Sequence, residues 1–104
     1  MFTNETKQKA YDRDGFCIIT LRFPRKEYFF PRPKNYLDRG PTVFHHGVFL
    51  SERPTDPNGS WNCCPIYNWY HTAIHSSHWA SRHFRKFCMI VATTRKAIYP
   101  IIDG

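Results

Sequence analysis

The hydrophobic period changes along this chain. After Pro65, the residues Ile66, Trp69, Tyr70, Ala73, Ser77, Ala80, Phe84 and Phe87 recur at spacings of three and four. That spacing marks one buried helix face. Proline suits a helix's first turn, and no glycine or further proline interrupts the run. The pattern predicts one long amphipathic helix over about 65–87. Shorter runs rich in β-branched and aromatic residues predict strands at 15–23, 42–50, 88–94 and 97–102. Gly47 reads as a bulge, and Pro100 would hold the last strand at a sheet edge. The passage from Phe87 straight into Cys88-Met-Ile-Val-Ala leaves a choice. Either the helix ends near Arg85, or it runs on and the third strand does not exist.

These elements predict an α+β fold: an antiparallel sheet of three to four short strands packed by one long helix. Six of the eight prolines fall between Pro24 and Pro57, so long intra-domain loops are expected at 24–41 and 51–60. The second contains the turn sequence Asp56-Pro57-Asn58-Gly59. Residues 1–14 are polar and are read as a mobile N-terminal segment. A length of 104 residues, with neither flank of the loops able to form its own core, predicts one domain over 1–104.

Charge sharpens the picture. The formal net charge is +7, and aromatic residues make up 17% of the chain, too many for a fully disordered polymer. Residues 1–56 hold ten Lys/Arg and seven Asp/Glu, whereas 57–102 hold five Lys/Arg, four His and no carboxylate side chain. No apolar run approaches the length of a membrane span, and the N-terminus lacks a signal-type hydrophobic stretch. The expectation is an intracellular protein, cytoplasmic or nucleoid/nuclear, not secreted and without a membrane partner. Its four cysteines are then free thiols.

On the predicted helix, the face opposite the apolar one carries His71, His75, His78, Arg82, Arg85 and Lys86, with Trp79 at its margin. Such a stripe can track phosphates, and an exposed indole can stack on a base. The loop at 24–41 interleaves Arg25, Lys26, Tyr28, Arg32 and Lys34 with further rings, a pairing suited to single strands. These residues predict a small DNA- or RNA-binding protein. The same stripe reads in plainer terms as a solvated basic face, and the rings as anchors of a loop. The competing function is a protein-binding inhibitor or regulator, of viral or mobile-element type. It would dock on an acidic or nucleic-acid-binding surface of a larger assembly, because Trp, Tyr, Phe and Arg are interface-forming residues.

A third reading is a zinc-stabilised domain. His71-x3-His75 puts two imidazoles on one helix face, and the vicinal pair Cys63-Cys64 precedes it, giving a candidate set of Cys63, His71 and His75 with zinc as cofactor. His45 and His46 form a separate pair whose rings point to opposite faces of a strand, where a histidine usually satisfies its own polar needs. No phosphate-cradling loop, nucleophile elbow or carboxylate pair is present, so a non-enzyme is expected. A metal-independent nuclease would have to use His71, His75 and Arg82.

Overall fold

The computed structural model describes residues 1–22 and 42–102. The loop expected at 24–41, with its candidate residues Arg25, Lys26, Tyr28, Arg32 and Lys34, lies outside the described residues. The fold is a small α+β domain, as its residue pattern predicts in outline, but with different parts.

The centre is a two-stranded antiparallel sheet, β1 (Thr42–His46) and β2 (Cys63–Tyr67). The register runs from Thr42 opposite Tyr67 to His46 opposite Cys63. Every residue of β2 is buried. Alternation along the strands divides the sheet into two faces. Phe44 and Cys63 pack with Phe2 and Ala10 on one side. Cys64 and Ile66 pack with Cys88, Ala92, Tyr70 and Ile74 on the other.

Residues 1–14, expected to be mobile, carry instead helix α1 (Asn4–Asp14). Thr3 caps it by accepting a hydrogen bond from the Thr6 N–H at 3.1 Å, and Gly15 ends it at φ 77°. Its last residue, Asp14, is buried and is the hub of an ion cluster. Arg13 donates to both carboxylate oxygens at 2.9 and 2.7 Å. Arg95 does the same from 81 positions further along the chain, donating to Oδ2 at 2.8 Å and to Oδ1. Arg13 also reaches the carbonyls of Ser60 and Cys63 at 2.9 Å.

The strand expected at 15–23 is replaced by a short helix, α2 (Ile18–Arg22). Residues 16–20 are all buried, and an all-buried short run carries no period that separates strand from helix. The Cys17 thiol decides locally: its Sγ accepts from the Thr20 N–H at 3.4 Å and from the Thr20 hydroxyl at 3.2 Å. The Tyr67 N–H also donates to it, at 3.3 Å.

The long helix expected at 65–87 is three elements. Residues 65–67 belong to β2, helix α3 covers Asn68–Ile74, and helix α4 covers Ser81–Ile102. The break has a chemical cause. The Ser76 hydroxyl donates to the Ala73 carbonyl at 3.0 Å and accepts from the His78 N–H at 3.2 Å. His78 Nδ1 then accepts from the Ala80 N–H at 3.1 Å. Side chains here offer the backbone an alternative to the helical ladder.

Helix α4 absorbs the two strands expected at 88–94 and 97–102. Ala80, Phe84, Cys88 and Ala92 follow a four-residue spacing, and all but the half-buried Phe84 are buried. The same residues that read as a β run thus form one helix face. This face comes so close to the end of β1 that a Cβ at Gly47 would lie 2.6 Å from that of Ala92. The predicted loop at 51–60 is present as a connection between two short 3-10 turns, Leu50–Glu52 and Ser60–Asn62. Buried Asn62 pins it: Oδ1 accepts from the Val48 N–H at 2.6 Å, and Nδ2 donates to Val48 and Pro57 carbonyls at 3.1 and 3.0 Å.

Candidate functional site

Because the helix breaks after Ile74, the predicted stripe is not one surface. His71 stands on α3, His75 caps its end, His78 and Trp79 lie in the connection, and Arg82, Arg85 and Lys86 stand on α4. The structure sorts them into two groups.

The first is a histidine cluster. His45, opposite Cys64 in the β1 register, projects from the Cys64/Ile66 face toward α3. Its ring centroid lies 5.5 Å from that of His71 and 5.6 Å from that of His75, which are 4.7 Å from each other. One ring nitrogen from each of the three lies within 4.8 Å of the others. Exposure is graded: His45 is 2% exposed, His71 half-buried and His75 exposed. The buried Nε2 of His45 has no hydrogen-bond partner among the described residues. Phe49 walls the cluster, stacking on His75 at 5.3 Å and meeting His45 edge-on at 5.5 Å.

Burial pushes the His45 pKa down to about 3, helped by the neighbouring charges of His71, His75, His46 and Arg85. His71 is lowered in the same way, by burial and then by His75. Burial therefore keeps the His45 imidazole neutral at pH 7, with a lone pair on its ring.

The expected set of Cys63, His71 and His75 does not assemble. Cys63 stands opposite His46, on the sheet face that packs against α1, whereas His45 stands opposite Cys64 on the other face. Burial, then the neighbouring Cys64, pushes the Cys63 thiol up to about 12, so it holds its proton. The missing member is His45. The sequence signal for it was the alternation of a strand: one ring of His45-His46 faces the helices. The other, His46, stacks on Phe2 at 4.1 Å and hydrogen-bonds Asn58 at 2.9 Å.

The second group is basic and aromatic. Trp79 is 90% exposed and stacks on His78 with centroids 5.5 Å apart. His78 in turn meets Trp69 edge-on at 5.3 Å. Just beyond lie Arg82 and Lys86, one turn apart on α4 and both exposed. Neither has an ion-pair or hydrogen-bond partner among the described residues. Arg85 differs: its guanidinium lies 4.2 Å over the Phe49 ring and 3.8 Å from Glu52, bordering the histidine cluster. The remaining cations of α4 are engaged, Arg95 by Asp14 and Lys96 by the Thr55 carbonyl and the Trp61 ring. The first turn of α4 has no acidic residue, although helix N-termini favour anions and disfavour cations.

No helix among the described residues is long and apolar enough to cross a membrane. The chain matches no protein-family model, no curated protein and no solved structure.

Proposed function

We propose that the protein binds single-stranded nucleic acid on the surface formed by Trp79, Arg82 and Lys86. The observation that carries this reading is the almost fully exposed indole of Trp79, followed in the chain by two exposed cations, Arg82 and Lys86, that no carboxylate among the described residues neutralises. An exposed tryptophan carries a large apolar area in water, and base stacking would cover it. Arg82 stands in the first turn of a 22-residue helix, where the helix dipole disfavours a cation, and a phosphate would relieve that repulsion. A flexible single strand can offer base and phosphate together, whereas a duplex hides its base faces.

Fluorescence anisotropy with labelled single- and double-stranded oligonucleotides, titrated from low salt to about 0.2 M, tests this. Single strands should bind more tightly than duplexes. Trp79→Ala should weaken binding by about tenfold, the size of one lost stack. Arg82→Ala with Lys86→Ala should flatten the salt dependence by about 1.4 in logarithmic slope, for two phosphate contacts on a single strand. Affinity unchanged in both variants, or weak binding equal for all strands and lost with salt, would sink the reading. The basic face would then be sought in complexes with acidic proteins.

A further inference from the structure

We propose that His45, His71 and His75 form a binding site for Zn2+, with three imidazole ligands and a fourth position open to solvent. The donor set comes from two elements. His71 and His75 are four residues apart at the end of α3, and His45 reaches them from β1. Around a tetrahedral zinc ion with Zn–N near 2.0–2.1 Å, ligand nitrogens stand about 3.4 Å apart. The three nitrogens already lie within 4.8 Å of one another, so rotations of the half-buried and exposed rings can close the set.

Several independent features point the same way. The Nε2 of His45 is buried and unpartnered among the described residues. Leaving such an atom unsatisfied is costly, and a metal bond removes the penalty. The three rings converge from two elements, with centroids 4.7, 5.5 and 5.6 Å apart. The chemistry of the donors selects the ion. Hard cations such as Mg2+ and Ca2+ require oxygen ligands, while neutral imidazoles suit zinc and its neighbours. Three protein ligands with an exposed third member leave a coordination position for water. Phe49, stacked on His75, and Arg85, over the Phe49 ring, border the cluster.

The test uses untagged, chelator-treated protein titrated with Zn2+ by calorimetry, with Mg2+ as control, and with Co2+ followed by visible absorption. Wild type should take up one Zn2+ per chain and show the bands of a low-coordinate, nitrogen-ligated Co2+. His75→Ala, at an exposed position, should fold normally and bind at least about 100-fold more weakly. Loss of an outer-shell partner alone is worth about 10–100-fold. His71→Ala should behave likewise, and Cys63→Ala should bind as wild type does. Added Zn2+ should raise the melting temperature of wild type and not of His75→Ala. Failure of wild type to bind, full affinity in His75→Ala, or a thiolate-to-cobalt charge-transfer band would each overturn the proposal.

Discussion

Two buried polar groups anchor this molecule, and they are treated in opposite ways. The Asp14 carboxylate receives four N–H donors from Arg13 and Arg95. The His45 ring, equally hidden, leaves its Nε2 without a partner among the described residues. A buried charge survives only when its lone pairs are filled. A buried neutral imidazole can survive with one vacancy, at a smaller cost. The first arrangement has nothing left to offer a ligand, and the second has a lone pair in reserve. Polar burial alone therefore does not leave anything for a ligand to bind, whereas an unused lone pair does.

The contrast can be tested in order of expected effect. Asp14→Ala leaves Arg13 and Arg95 facing each other without their anion, and should cost about 3–5 kcal/mol in urea unfolding. A loss under about 1 kcal/mol would mean that the cluster is a solvated surface contact.

The second effect is a pH slope in metal-free protein. His45 faces His71 and His75 from α3, His46 from its own strand and Arg85 from α4, all of which disfavour its protonation. In the unfolded chain its imidazole takes up a proton near pH 6.5, whereas the folded chain refuses it until about pH 3. Unfolding within that window takes up a proton, so stability is complete above pH 6.5 and falls as the pH drops toward 3. The slope from His45 should be about 1.4 kcal/mol per pH unit, and His71 adds to it in the same direction. Urea midpoints that stay level between pH 6.5 and 4 would contradict the burial of a neutral ring.

The smallest expected effect is the most discriminating. His45→Leu removes the unsatisfied nitrogen and keeps apolar volume, so metal-free stability at pH 7 should stay within about 1 kcal/mol of wild type. The same substitution should abolish the His45 part of the pH slope. A loss above about 2 kcal/mol at pH 7 would show that His45 is satisfied after all, and the contrast with Asp14 would collapse.

The sequence was legible where one period ruled and illegible where two patterns overlapped. The first half of the 42–50 strand is there as β1, and the turn-rich 51–60 loop is there. The pairing of His71 with His75 follows from helical spacing alone. The break at 75–78 was hidden because its cause, the Ser76 and His78 side chains bonding to backbone, leaves the hydrophobic spacing intact. The run from Cys88 to Ile102 misled because alanines, β-branched residues and a cysteine fit either element. Only packing on the sheet, with Cys88 and Ala92 inward, decides for helix. Cys63 suggests itself as a ligand because it is near His71 in sequence. In a strand, one step along the chain reverses the face, and that step separates Cys63 from the cluster. His45 could be found only once β1 was laid beside α3.

The link between Asp14 and Arg95 also has a consequence for synthesis. Eighty-one positions separate the two residues. A chain growing from its N-terminus makes α1 first, but the carboxylate that ends this helix meets its second guanidinium only when α4 has emerged. β1 and β2 can pair earlier, since only residues 47–62 lie between them. Yet Cys64 and Ile66 then present an apolar face to water until Cys88 and Ala92 arrive to cover it. Between the synthesis of Tyr67 and that of Ala92 the nascent domain thus carries an uncovered sheet, an interval in which chaperone capture competes with folding.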